Sequence, residues 1–386
     1  MGTRRIASPR ALPTSFSVAI LVGALIAGCG RPGASGPATE TLAHPATLTA
    51  TRASPTPSAV PTSTATPRPT AVPTPSATPP VLTTFTTSRL LRGVQPAGYI
   101  ANTCVYLRAR WDPARSAPGT LIVPVAFHGV SSAGNRGPGD TTTPVEDLQA
   151  SVYWANQLGF TTVTMTQAAD FLESNASIPR LSMVWIVDDR NAGTVEDHMM
   201  PVMIANNWTM SMAWPIGDTD RREGLWQRAE ALAATGRVEF QAHGYEHNLT
   251  IHPNSSDEYV HNEIFGPLPI LEKHFGRLPV AFVWPGGNFT TPAARLVREA
   301  GYRLAFTFSA RGPLMFNWIP LNDKEREVGD PLMVLPREWG YPGLVAQMRK
   351  AAEISQAAHE FALANYDIEA AYYRSACGGE LPQPAP

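Results

Sequence analysis

Three cysteines are all that 386 residues contain, and none stands at the close spacing of a cysteine-built metal site. An excess of one charge is equally lacking, since 30 basic residues face 32 acidic ones for a formal net charge of −2. That balance gives no electrostatic footprint for nucleic acid. A membrane-length apolar run is missing near the start: Val18–Ala27 falls short of the about 20 residues that span a bilayer. Histidine is absent between His274 and His359, so no imidazole is available from the last strand-like stretch of the chain.

What is present is unevenly spread. Arg4, Arg5 and Arg10 precede Val18–Ala27, and small residues lead on to Cys29, the layout of a secretory signal. The sequence LIAGC at Leu25–Cys29 resembles the lipobox of bacterial lipoproteins. The resemblance implies that residues 1–29 are a lipoprotein signal peptide and that Cys29 carries diacylglycerol, which places the protein outside the cytoplasm on a membrane. Residues 30–83 are dominated by Pro, Thr, Ser and Ala with no apolar period, so they cannot bury a core and read as a disordered linker. Extended at about 3.1 Å per residue, some fifty such residues reach roughly 150 Å, enough to cross a cell-wall layer. Cys104 and Cys377 remain, and in an exported protein this pair can form a disulfide that staples the two ends of the folded region.

From residue 84 to 345 the pattern alternates between strands and helices, with a C-terminal helix and tail over 346–386. TLIVPVAF is a strand that delivers His128; Thr143 is expected to cap a helix with Pro144 as its first residue and Gly159 at its end. LSMVWIV leads into Asp188 and Asp189, RVEFQAH into His243, VAFVWPGG into Trp284–Gly287, and PLMVLPRE into Arg337. SDEYVHNEIFGPLPILEKHFG reads as one helix between two of these strands. Seven or eight β-then-α units in about 260 residues predict an α/β fold with a single (β/α) barrel. Active sites of such barrels lie at the C-terminal ends of the strands, which is where these polar residues fall.

HGYEH places His243 and His247 four apart after a strand. If the segment is helical both imidazoles face one side, and a carboxylate from another strand completes a two-histidine, one-carboxylate metal site. The adjacent carboxylates Asp188 and Asp189 repel each other, so a turn with solvent or a cation must relieve them. The order strand–Asp–Asp, strand–His-x-x-x-His, then WPGG resembles the NodB-type polysaccharide deacetylases, carbohydrate esterase family four. VPVAFHGV and VAFVWPGGNFT are similar to the subgroup of exported poly-N-acetylglucosamine deacetylases. The resemblance implies that Asp189, His243 and His247 bind a divalent cation, zinc first, that Asp188 is the general base, and that His128 is the general acid. The chain departs from the family's Thr-Phe-Asp-Asp-Gly at Ile186, Val187 and Arg190, and has Pro336 and Arg337 where the common family has a histidine.

Metal-assisted hydrolysis of an acetamide needs an activated water, a base, and an acid for the leaving amine. The backbone N–H groups around Tyr245 and after His247 are candidate donors to the oxyanion. Trp284, Pro285, Gly286, Arg190 and Arg337 are the expected substrate-binding residues. Trp284, Trp339 and Tyr341 are the aromatics able to stack on a sugar face or else pack in the core. The expected substrate is an N-acetylglucosamine-containing polysaccharide. A non-catalytic carbohydrate-binding protein on the same barrel is the alternative that Arg190 and the absent last-strand histidine leave open.

Overall fold

A computed structural model describes residues 78–133, 141–246 and 249–384; Cys29, most of the linker and His247 lie outside the described residues. The apolar stretches that end in polar residues form the main sheet. Its strands are β1 Leu121–Phe127, β2 Thr161–Thr162, β3 Leu181–Asp188, β4 Met210–Trp214, β5 Val238–Ala242, β6 Ala281–Val283, β7 Leu304–Phe306, β8 Leu314–Met315 and β9 Glu338–Trp339. They lie in the order β7-β6-β5-β4-β3-β1-β8, with β2 also on β3 and β9 also on β1. Every pairing is parallel except β8 with β1.

Residues 335–340 close the ring. Leu335 N–H donates to Ala305 O, Thr307 N–H to Leu335 O and Gly340 N–H to Ala126 O, each at 2.8 Å, which ties β7 to β1 through this segment. Seven parallel strands, β1, β3, β4, β5, β6, β7 and β9, therefore run round a distorted (β/α) barrel. β8 pairs with the first half of β1 and β9 with its last half. All seven residues of β1 are buried, as are all but the first of β3. Continuous apolar runs are what strands covered on both faces require, with barrel interior on one side and helices on the other.

Helix α1, Thr103–Trp111, precedes the barrel and is capped by Asn102, whose side chain accepts from Val105 N–H. The helix expected from Thr143 begins instead at Val145, with Pro144 as its cap residue and no side-chain cap. The reason is a short ladder: Thr142–Pro144 pairs in parallel with Gly129–Ser131, which claims the backbone that a cap at Thr143 would need. Gly159 ends this helix at φ 81, as its position in the sequence predicts. The stretch read as one helix is two, α2 Asp257–Phe265 and a second over Pro267–Phe275. Pro267 has no N–H to continue the first and suits the start of the second.

Helix α3, Leu344–Ala376, runs for 33 residues. Its first half packs Leu344, Met348, Ala351, Ile354 and Ala358 into the barrel core. Its second half joins α1 in a separate cluster of Leu107, Trp111, Ala362, Tyr366, Ala370 and Tyr373. There the buried Glu369 accepts from Trp111 Nε1–H at 2.6 Å. Cys104 on α1 and Cys377 at the end of α3 are disulfide-bonded, with Cα atoms 5.6 Å apart and 273 residues between them in sequence. Closing so long a loop removes much unfolded-state freedom, up to about 5 kcal/mol in the chain-entropy account. The Cys104→Ser/Cys377→Ser variant is expected to unfold at clearly lower urea than the oxidised protein, while its activity in the absence of urea is unchanged. Coincident urea curves would remove the disulfide from the account of stability.

Candidate active site

His128, Asp188, Asp189, His243 and Arg337 end or follow β1, β3 and β5 or precede β9, so the topology gathers them on one rim. The two adjacent aspartates are separated by a change of backbone hand. Asp188 is the last residue of β3 and Asp189 sits at φ 66, a left-handed conformation uncommon for a residue with a Cβ. Their side chains consequently differ in exposure, 2% for Asp188 and 29% for Asp189. Arg337 grips Asp188 with both terminal nitrogens, Nη1 to Oδ1 at 2.5 Å and Nη2 to Oδ2 at 3.0 Å, and its Nε–H donates to Thr307 O at 2.8 Å. Burial raises the Asp188 pKa, but the Arg337 charge outweighs it, helped by His243 and His128, and the carboxyl is held below its ordinary value. Asp188 is thus ionised and fixed in orientation.

His128 lies beside this pair. Its Nε2 is 3.6 Å from Asp188 Oδ2, and its ring centroid is 5.3 Å from that of Trp339 and 6.0 Å from that of Phe308. The Nδ1 atom is buried without a hydrogen-bond partner. Burial lowers the pKa of His128; Asp188 pulls upward, but Arg337 pushes downward and the net direction is down. Asp188 thus favours the charged imidazole as expected of a neighbouring carboxylate, without prevailing.

His243 is 7% exposed and its Nδ1 bonds Val283 O at 2.8 Å. A carbonyl only accepts, so Nδ1 carries a proton, and in the neutral form of the ring Nε2 presents its lone pair. That lone pair faces Asp189, with Nε2 3.8 Å from Oδ1. A neutral imidazole fixed by a backbone carbonyl and set beside a carboxylate is the donor set that suits a divalent cation. Two of the three expected ligands are therefore adjacent; among the described residues no group of three ligating side chains occurs, and His247 is not among them.

Residues 244–246 form a loop, not a helix. Gly244 has φ +76, and a Cβ there would fall 2.2 Å from Glu263 Oε2. Tyr245 N–H donates to Glu263 Oε2 at 3.0 Å and Glu246 N–H to Glu263 Oε1 at 2.8 Å. Neither N–H is left for an oxyanion. Burial lifts the Glu263 carboxyl to about 7 against the pull of these two donors. Glu263, unrecognised in the sequence, is buried on α2 at 0% exposure.

The residues expected to bind substrate divide by burial. Trp284 is completely buried and its Nε1–H donates to Met333 O at 3.0 Å, so it presents no face to a sugar. Arg337 is 1% exposed and committed to Asp188 and Thr307. Arg190, 7% exposed, directs Nη1 to Pro215 O and Gly217 O, which holds that neighbouring loop. Trp339 and Tyr341 are half-buried and keep accessible surface. Pro285 is buried and Gly286 exposed; Gly286 has φ +59, and a Cβ there would meet Thr250 Cγ2 at 2.8 Å.

Residues 180–305 match the family described as polysaccharide deacetylase. The chain carries a polysaccharide deacetylase domain. The matched segment contains the aspartate pair, both histidines and WPGG, and the deacetylase domain places the chain among hydrolases acting on amide bonds. No curated protein matches. Among solved structures, the Streptococcus pyogenes deacetylase PplD in complex with acetate is similar at 13% identity and TM-score 0.50, covering 60% of this chain and 99% of its own. IcaB from Ammonifex degensii is 18% identical with TM-score 0.48, over 62% of this chain and 98% of its own. A de-N-acetylase from Aggregatibacter actinomycetemcomitans is 16% identical with TM-score 0.49, over 60% and 99%. At these identities the likeness to PplD is one of fold.

Proposed function

We propose that the protein hydrolyses N-acetyl groups of an N-acetylglucosamine-containing polysaccharide of the cell envelope or extracellular matrix, using a divalent cation, zinc first, held by Asp189, His243 and His247. The observation that carries this reading is the placement of His243, held through Nδ1 by Val283 O with its Nε2 3.8 Å from Asp189 Oδ1, on the same rim as the buried Asp188 gripped by Arg337. A bound cation supplies a water of lowered pKa and polarises the acetamide carbonyl. Asp188, fixed by Arg337, accepts the proton of the attacking water. His128 gives a proton to the departing nitrogen, so that the C–N bond breaks to acetate and a free amine. Trp339 and Tyr341 are the aromatics with surface left to meet a sugar ring.

The purified protein is expected to carry close to one divalent ion per chain, and His243→Ala to lose it, since it removes one of three ligands. Elemental analysis of wild type after incubation with zinc checks this, and a value near zero would remove the metal from the mechanism. Replacing His128 by Ala should lower turnover by about 10²-fold with metal content intact, the lower end of the range for an acid–base group. A general acid must be protonated, so wild-type turnover should decline as pH rises through the His128 pKa, and that limb should vanish in the variant. Retention of both turnover and the limb assigns the proton to another group. The second reading, a carbohydrate-binding protein, draws on the lowered pKa of His128 and predicts glycan binding without acetate release.

The lipobox-like Cys29 and the Pro-rich linker support a lipid-anchored protein outside the cytoplasm, with the linker as spacer. No helix among the described residues is long and apolar enough to cross a membrane.

A further inference from the structure

Three backbone residues separate His243 from His247, and the structure shows what holds them. On one side both oxygens of Glu263 accept from consecutive N–H groups, those of Tyr245 and Glu246. On the other side Ile216 N–H donates to Gly244 O and Gly217 N–H to Tyr245 O. The carboxylate approaches so closely that only glycine fits at 244: an added Cβ would lie 2.2 Å from Glu263 Oε2 and 3.1 Å from Pro285 Cγ. Pro285 in turn lies two residues past Val283, whose carbonyl orients His243. The loop is thus clamped at its donors, at its acceptors and at its tightest turn.

Glu263 itself is fully buried and has no cationic partner among the described ion pairs. Burying a carboxylate without a counter-charge is costly unless its hydrogen bonds are good. An apolar side chain at this helix position would avoid that cost, but it would leave two adjacent N–H groups unpaired and the path from His243 onward unset. Losing a group that orients metal ligands typically costs about 10- to 100-fold in metal affinity.

We infer that Glu263 is a positioning residue for the metal site: by clamping Tyr245 and Glu246 it sets the course of the chain between the two histidines, and through them the affinity for the cation. This inference rests on the metal reading above. It adds a residue on a helix outside the strand-end rim, whose hydrogen bonds go to the loop backbone.

The test is zinc affinity, measured by competition with a chromophoric chelator on the whole folded protein at pH 8, above the Glu263 pKa of about 7. Glu263→Gln keeps the shape but can accept at one atom only and turns an NH₂ toward a backbone N–H. Its zinc affinity should fall about 10- to 100-fold, and with cobalt in place of zinc its visible absorption band should shift. Ile264→Ala, at the neighbouring buried position of the same helix, is the control for general loosening: its melting temperature should drop while its zinc affinity stays within about twofold, well inside the 10- to 100-fold effect. Should Glu263→Gln not fold, Glu263→Asp carries the test, retaining the charge but withdrawing it from the loop, with a zinc affinity again below wild type. Wild-type affinity in the Glu263 variant, or an equal loss in Ile264→Ala, overturns the role of Glu263 alone. Failure of wild type to bind zinc at all overturns the metal reading and this inference together.

Discussion

Asparagine at position 188 should cut acetate release from an N-acetylated glycan by about 10²- to 10⁴-fold, the span associated with losing a general base, while metal content is retained. The substitution conserves shape and removes the proton acceptor. It also changes the pairing with Arg337, because an amide offers one acceptor where the carboxylate offered two to Nη1 and Nη2. Acetate kinetics and elemental analysis on the same preparation separate three outcomes. Loss of rate with metal retained assigns the base to Asp188. A normal rate moves the base elsewhere. Loss of both would make Asp188 a ligand, in place of the more exposed Asp189.

Arg337 should prove as important to the fold as Asp188 is to the rate. Both side chains are at most 2% exposed, and removing Arg337 leaves the buried Asp188 carboxylate without its hydrogen-bonded counter-charge, with only His128 nearby at 3.6 Å. Arg337→Met is accordingly expected to destabilise the protein by about 3–5 kcal/mol and, if Asp188 is the proposed base, to lower turnover as well by freeing its orientation. Urea unfolding monitored by tryptophan fluorescence reads the first effect. The Asp188→Asn/Arg337→Met double variant should recover a large part of that stability, because the stranded charge is gone. If the double variant is no more stable than Arg337→Met, the loss arises from the void left by the arginine rather than from an unpaired carboxylate.

The legible parts of the molecule are those governed by local pattern. Apolar runs of β-branched and aromatic residues mark β1 and β3, and their ends deliver His128 and Asp188 to the rim without knowledge of the fold beyond the barrel itself. Register along the chain also places His243 directly after β5. The rest depends on distance through space. Arg337 follows its partner Asp188 by 149 residues; the apolar run before it reads as a strand but is a 3-10 turn at Pro331–Met333, with the strand starting only at Glu338, and nothing local tells what the cation neutralises. Trp284 stands beside WPGG, yet a side chain at a strand end can point to solvent or to the core, and the indole found a carbonyl inside. Arg190 is ambiguous in sequence for the same reason, and its guanidinium turns to the carbonyls of Pro215 and Gly217. The spacing His-x-x-x-His suits a helix, but Gly244 at positive φ breaks that reading, and the carboxylate that demands the glycine belongs to α2. Glu263 looks like an ordinary polar residue of an amphipathic helix, because no spacing rule links it to a loop 17 or 18 residues earlier.

Hydrolysis of N-acetyl groups is measured most directly as acetate release by the zinc-loaded protein from peptidoglycan, chitin-type oligomers, poly-N-acetylglucosamine and acetylated xylan, with free amine counted in parallel. Acetate is expected from at least one of the three N-acetylated substrates, with one new amine for each acetate. That release should be lost on chelation and return with zinc. Glycan binding with no acetate from any of them, under metal-replete conditions, would contradict N-acetyl hydrolysis and make this barrel a carbohydrate-binding protein.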